Sequence, residues 1–120
     1  MDAETKRFEK RVLIVEDDPF IAMDLEDAFL EAGYHVCGMV GSVAEGLQRI
    51  ALDPPEVVTL DYHLGRETSE AIARALDERA IPYCYVSGNA NELTDPKVPV
   101  ITKPVAPGTV LRTLERLIAH

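Results

Sequence analysis

The chain has 120 residues and a formal net charge of -9 at pH 7, with 21 Asp and Glu against 12 Lys and Arg. This length suits one hydrophobic core and is too short for two, and an acidic surface repels nucleic acid and anionic membranes. No apolar run approaches the roughly 20 residues of a membrane span, and the polar start has no signal-peptide pattern. We therefore expect a single cytoplasmic domain with no nucleic-acid or membrane partner.

Five apolar runs predict β-strands at 12–15, 34–40, 57–60, 83–86 and 98–101. The other patterned segments predict helices at 19–32, 43–52, 68–80 and 108–119. Strands that are apolar throughout are buried on both faces, and strand–helix alternation makes them parallel through right-handed crossovers. The predicted fold class is therefore α/β, with a doubly wound five-stranded parallel sheet.

Local signals mark the ends of these helices. Asp18 is placed to cap the first helix and Gly33 to close it, and Ser42 with Glu45 has the form of a capping box. The connection 88–97 is different, because it combines Gly, Asn, Asp and Pro and has no apolar stripe. We expect a loop or one helical turn there, which means a reduced or missing fourth helix.

Polar side chains stand directly after four of the predicted strands. They are Glu16 and Asp17 after the first, Asp61 after the third, Ser87 after the fourth and Lys103 after the fifth. Ligands of open parallel sheets bind outside the carboxyl ends of the strands, so we expect these side chains to converge there. Acids packed together repel one another unless a cation is bound, and an all-oxygen cluster suits Mg²⁺ rather than zinc or copper.

A carboxylate, a divalent cation, a hydroxyl and a lysine together indicate transfer of a phosphoryl group to an aspartate. The cation would offset the acids and the phosphoryl charge, Lys103 would add a second positive charge, and Asp61 would attack phosphorus to form an acyl phosphate. Each acid alone could be a solvated loop residue or, for Asp18, a helix cap. The set taken together favours a site.

The sequence resembles the receiver domain of bacterial two-component response regulators. The resemblance rests on the motifs VLIVEDDP, VVTLDYHLG, YVSGN and ITKP, which occur in the family's order at the ends of the predicted strands. It covers residues 11–120, after a polar N-terminal extension of residues 1–10, and we expect no output domain.

The resemblance implies a flavodoxin-like sheet of strand order 2-1-3-4-5 and a role for each motif residue. Asp61 would be the phosphoacceptor, Ser87 the switch hydroxyl and Lys103 the lysine that contacts the phosphoryl group. Asp17, Asp61 and the backbone carbonyl of His63 would bind Mg²⁺ directly, and Glu16 through water. The side chains of His63 and Asn89 lie at family positions that tune how fast water removes the phosphoryl group.

By the same resemblance, we expect the chain to be a single-domain response regulator. It would receive its phosphoryl group from a histidine kinase or histidine phosphotransferase and serve as a relay, a switch or a phosphate sink. It would assist its own phosphorylation and dephosphorylation rather than act as an enzyme on another substrate. Its output would pass through a downstream protein or a homodimer.

The motif YVSGN is similar to the Phe-Ala-Thr-Gly signature of a subgroup of stand-alone receivers often paired with HWE histidine kinases. Several positions depart from the general family pattern. Val100 stands where an aromatic residue is expected, Val105 replaces a common Phe, and the turn HLGRE after Asp61 is short. The usual coupling between a switch hydroxyl and an aromatic ring therefore cannot operate in its ordinary form.

The first helix carries two apolar stripes. Ile21, Leu25, Ala28, Phe29 and Ala32 form the stripe expected to pack on the sheet. Phe20, Met23 and Leu30 lie on the opposite side around Asp27, within an acidic rim. This second stripe could bind the four-helix phosphotransfer bundle of a histidine kinase or a second copy of the chain, or it could be scattered exposed side chains.

The two cysteines, Cys37 and Cys84, lie in apolar stretches without metal or redox spacing. We expect buried free thiols, because the family's strand order places them three strand spacings apart, or about 14 Å.

Three other functions remain in view. A pseudo-receiver would keep the fold as a binding module without phosphorylation. A metal-dependent phosphatase with an aspartyl nucleophile usually has a second acid two residues later, where this chain has His63. A flavin or nucleotide binder would need a phosphate loop after the first strand, where Glu16 and Asp17 would repel phosphate.

Overall fold

The computed structural model describes residues 10–89, 93 and 97–119. The strands in this part of the chain are β1 (Lys10–Val15), β2 (Tyr34–Val40), β3 (Val57–Asp61), β4 (His63–Leu64), β5 (Glu67–Thr68), β6 (Tyr83–Ser87) and β7 (Val100–Thr102). The helices are α1 (Pro19–Glu31), α2 (Val43–Leu52), α3 (Glu70–Glu78) and α4 (Pro107–Ile118). Among these described helices, none has the length and apolar composition to cross a membrane.

Five of the strands form one parallel sheet in the order β2-β1-β3-β6-β7. Counted along the chain, this is the predicted order 2-1-3-4-5, so the predicted flavodoxin-like fold is confirmed. Helices α1 and α4 pack on one face of the sheet, around Phe29, and α2 and α3 pack on the other, around Ile72. Burial of both faces explains why the central strands are apolar throughout.

The predicted capping residues of the first two helices are confirmed. The Asp18 carboxylate accepts the backbone N–H of Phe20 at 2.9 Å, and Gly33 follows α1 with a φ of 90°. The Ser42 hydroxyl accepts the N–H of Glu45 at 3.2 Å, as a capping residue does.

A short β-hairpin follows β3, where the sequence pattern predicts a turn and then a helix from residue 68. Strands β4 and β5 pair antiparallel, and the helix begins only at Glu70. The two-residue loop has Gly65 at its first central position with a φ of 62°, which suits a hairpin turn that needs glycine there. The prediction for this helix start was wrong because Thr68 pairs with His63 instead.

The ends of several other elements differ from the prediction by one or two residues, and some details of the packing differ as well. Strand β1 begins at Lys10, inside the segment expected to precede the domain, and β7 covers Val100–Thr102 rather than 98–101. On α1 the buried residues are Ala22, Leu25 and Phe29, whereas Ala32 is exposed because it caps the helix end. The prediction that the connection 88–97 lacks a full helix falls mostly on residues 90–92 and 94–96, which lie outside the described residues.

Both cysteines are buried and unpaired, as predicted. Cys37 lies on β2, where its thiol donates to the Val12 carbonyl oxygen at 3.2 Å. Cys84 lies on β6, and burial raises the pKa of its thiol to about 12. A thiol that stays protonated in this way is a poor nucleophile and a poor metal ligand at neutral pH.

Candidate metal centre

Strand register brings the predicted site residues to one edge of the sheet. The β1 residue Val15 pairs with Leu60 of β3, so the residues that follow these two strands are neighbours. They are Glu16 and Asp17 after β1 and Asp61 at the end of β3. The chain after β7 reaches the same edge, because the Lys103 backbone N–H donates to the Ser87 carbonyl oxygen at 2.9 Å.

Three carboxylates and one ammonium meet at this edge. Ligand oxygens of Glu16, Asp17 and Asp61 all lie within 4.8 Å of one another. The Lys103 Nζ lies 3.2 Å from Asp61 Oδ2 and 3.8 Å from Glu16 Oε2. Glu16 and Asp61 are buried, whereas Asp17 is exposed. Four of the sequence-predicted residues therefore form one cluster, which has more negative than positive groups.

The protonation of the cluster reflects this excess of acids. Burial raises the pKa of Glu16 from 4.5 to about 8, and its contact with the Asp61 carboxylate adds to the rise. Partial burial works against a charged Lys103, but the carboxylates of Asp61 and Glu16 outweigh it and raise the pKa of this lysine. At neutral pH the cluster therefore holds a protonated Glu16 and an ammonium on Lys103.

The donor set fits a divalent cation with a preference for oxygen ligands. Glu16 Oε1 is buried and has no hydrogen-bond partner among the described atoms. This oxygen can therefore still carry a proton, accept a hydrogen bond from water or coordinate an ion. Carboxylate oxygens suit Mg²⁺, Ca²⁺ or Mn²⁺, whereas zinc would select His or Cys. Within the described ranges, this is the one group of three or more such side chains that could share a metal ion.

The hairpin supplies a site contact that the sequence did not reveal. The Gly65 backbone N–H donates to Asp17 Oδ2 at 2.9 Å, and Asp17 lies 48 residues earlier in the chain. The two-residue Gly-Arg turn was a local signal for a hairpin, but it did not indicate what the turn would touch.

Ser87, Asn89 and His63, the other predicted residues, lie at or just after the ends of β6 and β3 at this edge of the sheet. Ser87 is fully buried, and its hydroxyl donates to the Asn89 carbonyl oxygen at 3.0 Å and accepts the Asn89 N–H at 3.1 Å. The Asn89 side chain is exposed. His63 is exposed at the start of the hairpin, and its ring lies edge-on to that of Tyr62 at 5.0 Å.

The second apolar stripe of α1 is exposed. The exposed fractions are 77% for Phe20 and 54% for both Met23 and Leu30, and Asp27 is exposed among them. These four residues, called the α1 stripe below, lie outside the carboxylate cluster on a helix that begins two residues after Asp17. Exposed apolar side chains grouped on one face of a helix are a candidate interaction site.

Known proteins similar to this chain share its fold. No protein-family model matches the chain. The chain is 28% identical over 116 residues to the chemotaxis protein CheY of Thermotoga maritima, a match that covers 90% of this chain and 97% of that protein. The first curated relatives are longer, and the matched region covers 36% of two of them and 46% of a third.

The fold is also similar to that of solved protein structures. SdrG from Sphingomonas melonis Fr1 is 34% identical with a TM-score of 0.78, over 92% of this chain and 97% of that one. The response regulator PhyR from Brucella abortus is 25% identical with a TM-score of 0.82, over 99% of this chain and 56% of that one.

In metal-free protein, replacing Glu16 with Gln should increase stability at alkaline pH. In the folded chain Glu16 keeps its proton up to about pH 8. In the unfolded chain its carboxyl has the ordinary pKa and loses the proton near pH 4.5. Because the folded state binds more protons in this window, Glu16 lowers the free energy of unfolding as pH rises through it. The free energy of unfolding of Glu16→Gln should match that of wild type near pH 4.5 and exceed it above pH 8, by up to about 5 kcal/mol at about 1.4 kcal/mol for each unit of pKa difference.

Urea unfolding in the presence of a chelator measures this difference at each pH. The exposed Glu78 of α3 provides the matched control, because Glu78→Gln should give no difference that grows with pH. A Glu16→Gln difference that stays constant across the whole range would contradict the protonated state assigned to Glu16.

Proposed function

Because the chain belongs to the receiver-domain family of response regulators, we propose that Asp61 accepts a phosphoryl group from a phosphohistidine. The observation that supports this best is the environment of Asp61. Its carboxylate is 2% exposed, contacts the Lys103 ammonium at 3.2 Å and lies beside the oxygens of Glu16 and Asp17. The proposed nucleophile therefore lies next to a positive charge and to carboxylates that could bind a metal ion, an arrangement that would need little reorganisation when a donor arrives.

The transfer is a displacement at phosphorus. An Asp61 carboxylate oxygen attacks the phosphorus atom, an O–P bond forms, and the P–N bond of the donor breaks with its electron pair going to the imidazole nitrogen. The Lys103 ammonium, which now donates to Asp61 Oδ2, is placed to offset charge on the phosphoryl oxygens. The product is an acyl phosphate on Asp61.

Asp17, Asp61 and the His63 carbonyl would hold Mg²⁺, with Glu16 acting through water. The ion supplies positive charge that the cluster lacks, since one ammonium faces three carboxylates. Glu16 would release its proton when a cation occupies the site, because a nearby positive charge favours the carboxylate.

Ser87 would report the phosphorylated state. Its hydroxyl has one proton, which now goes to the Asn89 carbonyl oxygen. When that proton is donated to a phosphoryl oxygen instead, the Ser87 hydroxyl gives up its bond to the Asn89 carbonyl oxygen, and this change at the end of β6 is the proposed switch. The side chains of His63 and Asn89, both exposed beside this edge, would set the access of water to the acyl phosphate.

We propose a signalling role as a relay, switch or phosphate sink, with a histidine kinase or histidine phosphotransferase as the phosphodonor. The likeness of Tyr85–Val86–Ser87–Gly88 to the Phe-Ala-Thr-Gly signature supports an HWE-class kinase as that donor. The change at Ser87 would then be passed to a downstream protein or to a second copy of the chain.

The α1 stripe is the proposed docking surface for the phosphodonor. Helix α1 has four exposed or half-buried acids and no basic residue, so a partner helix with basic and apolar side chains would complement it. A pocket of about 220 Å³ opens beside this helix and is lined by Ile21, Asp24, Leu25, Pro104, Val105 and Pro107. Since Pro104 follows Lys103, a partner side chain in this pocket would bring its own helix next to Asp61.

Incubation with a small phosphodonor such as acetyl phosphate should add one phosphoryl group to the wild-type chain in the presence of Mg²⁺. Intact-mass spectrometry measures the adduct, and loss of the adduct in hydroxylamine identifies an acyl phosphate. Asp61→Asn should show no adduct, because its amide is not a nucleophile toward phosphorus.

Asp53→Asn is the matched control, since Asp53 lies beyond α2 at the opposite edge of the sheet, where it pairs with Arg11 at 2.7 Å. This variant should be phosphorylated like wild type. No adduct in wild type with Mg²⁺, either from the small donor or from a panel of histidine kinases, would favour the pseudo-receiver instead.

The double substitution Phe20→Ala and Leu30→Glu should slow transfer from a histidine kinase by about tenfold or more, because it removes apolar contacts from the docking surface. Labelling by the small phosphodonor should be unchanged, since that donor needs no protein surface. Radiolabel transfer from a phosphorylated kinase that serves the wild-type chain measures both rates.

Leu52→Glu is the control for added charge on an exposed leucine. Leu52 is 75% exposed on α2, on the other face of the sheet, so this variant should keep the wild-type transfer rate. Equal transfer to the double variant and to wild type would rule out the α1 stripe as the docking surface.

A further inference from the structure

The tip of the β4–β5 hairpin contacts the carboxylate cluster through its backbone. The Gly65 N–H donates to Asp17 Oδ2 at 2.9 Å, within ordinary hydrogen-bond distance. Asp17 is exposed, so core packing does not hold its side chain. The hairpin therefore provides an orientation for Asp17 that the rest of the loop after β1 does not.

The base of the hairpin is held in place by buried contacts. Leu64 is 3% exposed and packs in the core on the α2 and α3 side of the sheet. The Ser69 N–H donates to the Tyr62 carbonyl oxygen at 2.9 Å, and this bond joins the two ends of the hairpin. An amide presented by such an anchored turn has a defined position before any ligand binds.

The backbone conformation at the tip favours glycine, although the space around it would admit a side chain. Gly65 has a φ of 62°, and a Cβ added there would meet no atom within 4 Å. A β-branched side chain would strain this conformation, whereas Asn tolerates it much better. The conformation can therefore be disturbed or preserved by substitution without creating a steric clash.

We propose that Gly65 is a positioning residue for the metal ion: its backbone N–H fixes Asp17 through Oδ2 and so directs the other carboxylate oxygen toward the cluster. This inference rests on the metal site of the proposed function. A carboxylate has lone pairs for both an amide and a cation, so the bond to Gly65 persists when the ion is bound. Partners that orient a metal ligand in this way commonly contribute about 10- to 100-fold to metal affinity.

The contrast between Gly65→Val and Gly65→Asn tests this role. Gly65→Val should weaken Mg²⁺ binding by about tenfold or more, and Gly65→Asn should stay within about threefold of wild type. Isothermal titration calorimetry measures the affinity on the full chain. Equal affinities of all three proteins for Mg²⁺ would overturn the proposal.

Gly33→Val is the matched control for backbone strain. Gly33 also has a positive φ, of 90°, and also has no atom within 4 Å of an added Cβ, but it lies after α1 at the opposite edge of the sheet. It should lose thermal stability to a similar extent as Gly65→Val and keep wild-type Mg²⁺ affinity. An equal loss of affinity in both Val variants would show general destabilisation and overturn the proposal.

A second readout needs no metal. In chelated protein, the exchange of the Gly65 amide proton with water, measured by NMR, should be faster in Asp17→Ala than in wild type, and unchanged in Glu78→Gln. An unchanged rate in Asp17→Ala would overturn the bond itself.

The outcomes also separate this inference from the proposed function. Mg²⁺ affinity that depends on Gly65, in a chain that no donor phosphorylates, would support the positioning role and reject the phosphoacceptor role. A chain that is phosphorylated and whose Mg²⁺ affinity does not depend on Gly65 would support the phosphoacceptor role and reject the positioning role. A wild-type chain that binds no Mg²⁺ would overturn both the positioning role and the Mg²⁺-dependent step.

Discussion

The contact between Lys103 and Asp61, at 3.2 Å, is the interaction on which the arrangement of this edge of the sheet depends. A carboxylate that is 2% exposed needs a positive partner, because an unpaired buried charge is costly. Lys103 supplies that partner, and its own backbone N–H ties the chain after β7 to β6 through the Ser87 carbonyl. One ammonium cannot balance three carboxylates, however. The metal-free cluster therefore retains a proton on Glu16, and the same imbalance makes the cluster a fitting place for a divalent cation.

The convergence of these residues could be predicted from the sequence because it follows from topology. Buried strands of a parallel sheet read as apolar runs, and an acid or a lysine directly after such a run must lie at the carboxyl edge. Glu16, Asp61 and Lys103 were placed correctly on this basis. The contact of Gly65 with Asp17 could not be found in this way, because strands of two residues have no periodicity and the bond joins residues 48 positions apart.

Helix α1 shows the limits of periodicity in a different way. A period of 3.6 residues separates the buried face from the α1 stripe, and Phe20 and Leu30 are exposed as the pattern predicts. It does not give the exact rotation of the helix on the sheet. Ala22 is buried on the same face as Leu25 and Phe29, whereas Ala32 is exposed because the helix ends at Glu31. Such details depend on the packing of neighbouring elements, which a single sequence does not specify.

Val100 stands where the family pattern has an aromatic residue, and the neighbouring strand supplies an aromatic ring instead. Val100 pairs with Tyr85 of the neighbouring strand, and Tyr85 is 7% exposed, with its ring edge-on to that of Tyr62 at 5.7 Å. The aromatic ring of this region is thus carried by β6 and packs next to Tyr62, the residue that follows Asp61.

The most direct test of the proposed site is a crystal structure of the chain with Mn²⁺ and beryllofluoride. We expect the anomalous peak of Mn²⁺ between Asp17 and Asp61, and a beryllofluoride group on Asp61 in contact with Lys103. Mn²⁺ bound only at surface acids, with Asp61 unmodified, would contradict the proposed site.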